Sequence, residues 1–300
     1  MHQPVMSGTG VFTPSEVITT EMAPSSSDFI VAASGIHQRY VLNKSGVLDP
    51  TVMHPHLRQR TDDKSGVMAE MATDACNKVL AQAGKAAADV DPVIVAASNL
   101  EREYRAIAIE VQDLLGTSGF GFDMIVACSS ATFGIQAASD MIRSGSARSI
   151  LVVNPEICSG LLEWRDRDCH FIFGDVCTAT LIERKEDAAG AHFEVNSIKC
   201  PTQFSNNIRN NNGFLRRSGP DGVADRRDMQ FMQNGRKVFG RIPEPEEQPN
   251  ILQHYANTSS AGSIIAFSQN SEDIKDGELG LICSFGAGYS VGSVLLKRSC

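Results

Sequence analysis

One cysteine stands where its type and setting suit nucleophilic chemistry. Cys128 closes the apolar run 122–127 and precedes Ser129, Ser130 and a stretch of helical spacing that stops at Gly145. A thiol at the first turn of a helix meets the partial positive charge of the N-terminus, which favours thiolate. A strand-to-helix turn also presents its side chain at the edge of a sheet, where open α/β sheets bind ligands. The competing reading is an inert buried cysteine, the common state of a free thiol in apolar sequence. Asn257 opens a comparable stretch, Asn257-Thr258-Ser259 and a small-residue helical run. Its amide can donate to a developing oxyanion, or cap the helix. The link Phe285-Gly286-Ala287-Gly288-Tyr289 joins two apolar runs, and its glycines let backbone N–H groups approach a ligand. Cys158, Cys169, His170 and Cys177 match no common zinc spacing, so no metal is expected. Gly8-Thr9-Gly10 lacks the third glycine of a dinucleotide fingerprint and precedes no helix pattern.

The elements that must hold these residues alternate between helix and strand patterns, which argues for an α/β fold. Helices are predicted over 66–84, 106–116 and 130–144. Strands are predicted over 93–97, 122–127, 149–154, 171–174, 176–183 and 193–199. Residues 200–250 are rich in Asn, Arg, Gly and Pro and lack periodicity; regular patterns resume at 251–266, 280–284 and 291–297. Residues 128–154 and 257–285 share one plan: a small polar start, a small-residue helix, a glycine, an apolar strand. Two such matches suggest a duplication, with Cys128 and Asn257 at equivalent helix starts. The division is expected at 189/190, giving halves 1–189 and 190–300. The second half lacks a unit of about 30 residues that the first half carries before Cys128.

Charge and composition limit the function. The 300 residues hold 27 Lys and Arg against 35 Asp and Glu, for a net charge of −8. No nucleic-acid partner is expected of so acidic a chain. No apolar stretch reaches membrane-spanning length. The start shows no secretory signal pattern, and eight scattered cysteines fit a cytoplasmic protein with reduced thiols. Residues 209–241 run against the trend, with Arg209, Arg216, Arg217, Arg226, Arg227, Arg236, Lys237 and Arg241 facing only Asp221, Asp225 and Asp228. Such a patch suits an acidic partner, or is a solvated loop.

The motifs FDMIVACSSATFGIQAA, FIFGD, YANTSSAGS and SFGAGYSVGS, in this order along nearly the whole chain, resemble the β-ketoacyl-acyl-carrier-protein synthase III family. The resemblance implies a thiolase-like, five-layered αβαβα sandwich of two duplicated halves, working as a homodimer. It implies acyl transfer to Cys128, then decarboxylative Claisen condensation with malonyl-acyl-carrier protein in fatty-acid biosynthesis. Acyl-CoA and the malonyl carrier serve as substrates, with no resident cofactor. Asn257 matches the residue that supports the enolate. The N–H groups of Cys128 and Gly288 match the oxyanion hole, beside Phe285 and Gly286. Phe29 matches a tryptophan that clamps the coenzyme A adenine, but Ala33 stands where the partnering arginine is expected. Tyr104 matches an aromatic that reaches the partner subunit's acyl pocket.

One departure stands out. The family's His-Gln-Ala-Asn motif is absent, and the gap falls between Phe239 and Gly240. Either these two residues lie farther apart than the roughly 3.8 Å of a trans peptide, or the deletion is real. A smaller shortening falls near Met22–Ser27. His254, three residues before Asn257, is the candidate stand-in. Two further functions therefore stay open: an impaired homologue acting as a dimer subunit or acyl-carrier-binding protein, and a thiolase-fold acyltransferase that does not decarboxylate.

Overall fold

The computed structural model describes residues 1–23, 26–166, 169–211, 226–234 and 248–300. The Phe239–Gly240 junction lies outside the described residues. The strands in chain order are β1 (Pro4–Phe12), β2 (Glu16–Thr19), β3 (Gln38–Val41), β4 (Val93–Ala97), β5 (Gly121–Ile125), β6 (Ser149–Ile157), β7 (Asp175–Arg184), β8 (His192–Lys199), β9 (Ile208–Arg209), β10 (Met232–Gln233), β11 (Leu279–Gly286) and β12 (Ser290–Ser299). The helices are α1 (Ser27–Ser34), α2 (Ser45–Leu48), α3 (Val67–Ala83), α4 (Ile107–Leu115), α5 (Ser130–Ser144), α6 (Leu252–Tyr255) and α7 (Gly262–Asn270).

Eight strands form one sheet in the order β11-β12-β8-β1-β7-β6-β4-β5. Read outward from its middle, the first half runs β1-β7-β6-β4-β5 and the second β8-β12-β11. The duplication read from the sequence is therefore present in topology, and the second half has no described counterpart of β4 and β5. The halves join where β1 meets β8, at Val5↔Glu194 and Met6↔Phe193. The expected division at 189/190 falls between β7 and β8.

The layers follow from which residues are apolar on both faces. β4 (VIVAA) is buried along its whole length, as a strand covered on two sides must be. On its outer face, Val95, Leu151, Val153 and Leu181 pack on Ala72, Val79 and Val111 of α3 and α4. On the inner face, Ile94, Ile150 and Val152 meet Ala131, Ile135, Ala138 and Ile142 of α5. The same helix contacts the second half's Ile282, Val294 and Leu296. Small residues let α5 fit between sheet layers. Both α3 and α5 end on glycines with positive φ, Gly84 and Gly145, the usual helix stop. Four of the five expected layers are thus on view: α3 and α4, the first-half strands, α5 with α7, and the second-half strands. Among the described residues no helix covers the outer face of β11 and β12.

The predicted helices and most strands lie within a few residues of their expected bounds. Residues 171–174 are the exception, forming a turn rather than a strand. Phe173 makes only an isolated bridge to Asn257, because this segment must reach across to the turn before α7.

Candidate active site

Cys128 sits in a 3-10 turn, Ala127–Ser129, between β5 and α5. Ala127 has φ +49°, a conformation rare for a residue with a Cβ and held here by the surrounding bonds. The Val126 N–H donates to Ser130 Oγ at 2.8 Å, closing the turn. The second half repeats the device. Ala256, the residue before Asn257, has φ +57°. Asn257 N–H donates to the Ile172 carbonyl at 2.9 Å, and its own carbonyl accepts from Gly174 at 3.1 Å. Its side-chain Oδ1 accepts from Ser259 N–H at 2.8 Å. Ser259 Oγ then donates to Cys128 Sγ at 3.2 Å. The two helix starts are joined through Ser259, which the sequence reading did not single out.

The Gly-rich link between β11 and β12 closes the third side. A Cβ on Gly286 would lie 2.9 Å from Ser129 N and 2.8 Å from Ser129 Oγ, so only glycine lets the link come this close. Ser129 and Ser290 hydroxyls bond across it. Gly288 has φ +129°, where glycine is favoured. Phe285 lies against Tyr289 with ring centroids 5.0 Å apart.

Cys128 opens into a cavity of about 150 Å³ with mainly apolar walls, including Cys158, Leu161, Leu162, Phe173 and Phe231, with Ser259 and Ala287 alongside. Ile208, Arg209 and Asn210 complete it from the segment that lacked periodicity. Residues of that segment's described part bond to the first half. Phe231 N–H donates to the Leu161 carbonyl at 2.8 Å, and Arg227 pairs with Asp166 at 2.7 Å.

Burial dominates the site's ionisation. It pushes the Cys128 thiol up to about 11, with the negative charge of Glu156 adding and the Ser259 hydrogen bond opposing. Burial and the Glu156 charge thus work against the thiolate that the helix start favours. Burial also raises the carboxyls of Glu156, to about 7, and Asp175, to about 6.

The remaining expected residues are more scattered. Asn257 is half-buried behind Ser259 and does not line the cavity; Gly288 is exposed beside it. Phe29 and Ala33 lie on exposed positions of α1, with Phe29 edge-on to Phe171 at 5.8 Å. Tyr104 is 86% exposed and outside the cavity. His254 is exposed on α6, and no histidine is among the residues that line the cavity. Of the basic stretch, Arg209 lines the cavity and Arg227 is engaged by Asp166, while Arg216, Arg217, Arg236, Lys237 and Arg241 lie outside the described residues. Cys158 lines the cavity and Cys177 is buried in β7. Among the described residues no cluster of three His, Cys, Asp or Glu side chains could hold a metal ion, and no helix is long and apolar enough to cross a membrane. Glu156 was also passed over, although an acid inside the apolar run of β6 was a readable signal.

A cysteine on a strained turn at a buried helix start, facing a second helix start of the same design, defines an acyltransferase of the thiolase fold. The family model described as 3-oxoacyl-[acyl-carrier-protein (ACP)] synthase III matches residues 122–198, and its C-terminal counterpart matches residues 229–298. The chain is 48% identical over 324 positions to the β-ketodecanoyl-[acyl-carrier-protein] synthase of Pseudomonas aeruginosa, covering 92% of each. It is 28% identical over 350 positions to the β-ketoacyl-[acyl-carrier-protein] synthase III of Granulibacter bethesdensis, covering 99% of this chain and 100% of that protein. The crystal structure of 3-oxoacyl-(acyl carrier protein) synthase III from Pseudomonas aeruginosa PAO1 matches with a TM-score of 0.77 at 20% identity, over 98% of each chain. The chain belongs to the β-ketoacyl-acyl-carrier-protein synthase III family, condensing enzymes of fatty-acid synthesis. An alignment of 350 positions exceeds the chain's 300 residues by 50, so that relative carries at least 50 positions with no residue here.

Proposed function

We propose that Cys128 takes an acyl group from a thioester and that this group then condenses with malonyl-acyl-carrier protein. The observation that carries the reading is the Cys128 sulfur at a helix start, facing an apolar cavity, with the Ser259 hydroxyl donating to it. The thiolate attacks the thioester carbonyl, the carrier thiol leaves, and the Cys128 and Gly288 N–H groups receive the transient oxyanion. Loss of CO₂ from the malonyl thioester then supplies the carbanion, so no external base is needed. Asn257 supports the enolate, and the carbanion attacks the acyl-cysteine, releasing the thiol. The name of the Pseudomonas aeruginosa relative suggests a ten-carbon 3-oxo product. As malonyl adds two carbons, the primer would be an eight-carbon acyl thioester, and apolar cavity walls suit it.

Other features support the expected partners. Arg209 at the cavity suits an acidic carrier protein. The β5 edge, unpaired among the described residues and flanked by exposed Ile109, Phe120 and Ile125, suits a homodimer, and exposed Tyr104 suits a reach toward a partner. Phe29 offers a single ring to the adenine of acyl-CoA. Eight cysteines outside any disulfide suit the cytoplasm.

A second reading has its own support. No histidine is among the cavity-lining residues, and the related chain carries at least 50 positions absent here. The protein would then load acyl groups and condense them slowly. Incubation with octanoyl-CoA, read by intact mass, tests the first step. Release of CO₂ from malonyl-acyl-carrier protein tests the second. Octanoylation of Cys128 is expected, with decarboxylation lowered about a hundredfold against a relative that carries the histidine. No adduct at Cys128 would remove the nucleophile assignment; decarboxylation at the relative's rate would remove the second reading.

A further inference from the structure

Glu156 is a wholly buried carboxylate that the reaction above does not use. It projects from β6 and collects donors from two separate elements. At the end of β4, Ser98 gives its N–H at 2.8 Å and its hydroxyl at 2.5 Å, and Asn99 Nδ2 donates at 3.2 Å. In the turn before α7, Ser260 gives its N–H at 3.3 Å, and its hydroxyl donates as well. No cation pairs with Glu156 among the described residues. A buried carboxylate without a counter-ion is tolerated only when its lone pairs are well satisfied, and these five donors do that.

The donors are also informative by position. Ser260 adjoins Ser259, whose hydroxyl donates to Cys128 Sγ. Ser98 lines the same cavity as Cys128. We propose that Glu156 is a positioning residue for Cys128: it ties the end of β4 to the Ser259–Ser260 turn and so fixes the hydroxyl that bonds the sulfur. In that place its negative charge also opposes ionisation of the sulfur. The functional meaning of this role rests on the reading of Cys128 as nucleophile.

The titratable groups near Glu156 are all acidic. Cys128 lies in the turn before α5, and Cys158 follows the end of β6 with its Sγ 3.9 Å from Glu156 Oε2. On β7, Asp175 and Cys177 flank Val176, the residue opposite Glu156, and Cys177 packs on the outer face of the sheet. Burial holds the thiols of Cys158 and Cys177 well above their ordinary range. With Glu156 raised to about 7 and Asp175 to about 6, Glu156 changes charge closest to neutrality.

The test is the rate of Cys128 alkylation by iodoacetamide against pH in the full chain, followed by peptide mapping, for the wild type and Glu156→Gln. In the wild type the logarithm of the rate should rise with pH, flatten near pH 7 as Glu156 ionises, and rise again. In Glu156→Gln the flattening should vanish, and the rate at pH 8 should increase about tenfold for each unit by which the thiol pKa falls. A variant profile parallel to the wild type at every pH is what a merely structural role gives, and it overturns the proposal. If the variant does not fold, the wild-type profile decides alone: a single rise without a break near pH 7 overturns it. Octanoyl loading at Cys128 is measured separately by mass. Failure there removes the nucleophile assignment and leaves the alkylation result standing.

Discussion

β6 and β11 hold equivalent places in the two halves, and their surroundings differ sharply. Every residue of β6 is buried, while Leu279 and Leu281 of β11 are 60% and 61% exposed. The sequences are similarly apolar, so composition does not separate them. Cover does: α3 and α4 lie on the outer face of β6, and no described helix lies on that of β11. The first half can therefore bury Glu156, Asp175 and Glu183, with Cys128 half-buried beside them. Among the described residues the second half buries no carboxylate, and it offers Asn257 from a turn held mainly by contacts with the first half. The first half carries the proposed nucleophile; the second half carries the group proposed to act on the malonyl unit.

The sharpest way to separate the halves is by step. Cys128→Ala should abolish octanoyl loading, a loss of three orders of magnitude or more if the nucleophile is gone. Asn257→Ala should leave loading within a few-fold and lower decarboxylation by about 10²–10³. Equal losses of both steps in both variants would break the division of labour. A second contrast lies in packing. Leu151→Ala, in β6, should lower stability by about 2–5 kcal/mol in urea titration. Leu281→Ala should change it by less than about 0.5 kcal/mol. Comparable losses would mean that β11 is covered after all.

The third contrast is pH dependence. Glu156 and Asp175 are raised in the folded state relative to their ordinary values of 4.5 and 3.8. The folded chain therefore binds more protons than the unfolded chain between about pH 4 and pH 7. Stability contributed by these groups is present at the acid end of that window and is lost as pH rises through it. Glu156→Gln should remove part of this slope, on the order of 2 kcal/mol between pH 5 and pH 8. An unchanged slope would mean that Glu156 does not titrate in the folded chain.

Much of the site could be read before any coordinates. Cys128 and Asn257 declared themselves by equivalent places in a repeat, and the apolar period gave α3, α5, β4 and β6. The basic stretch at 209–241 was visible, but the place of Arg209 at the cavity was not. Nor were Phe231 and Ile208 as cavity walls, since the segment bearing them has no period, and contacts distant in sequence, such as those with Leu161 and Asp166, meet its described part.

The sequence by itself determined the duplicated plan, the two helix starts and the absence of the His-Gln-Ala-Asn unit, because periodicity and residue order are local properties. Only the tertiary structure decided that Ser259, not Asn257, donates to the sulfur, and that burial pushes the Cys128 thiol up. It alone brought donors from the end of β4 and from the Ser259–Ser260 turn to Glu156. Those outcomes depend on burial and on hydroxyl and carboxylate distances between residues about a hundred positions apart, and no local pattern records them.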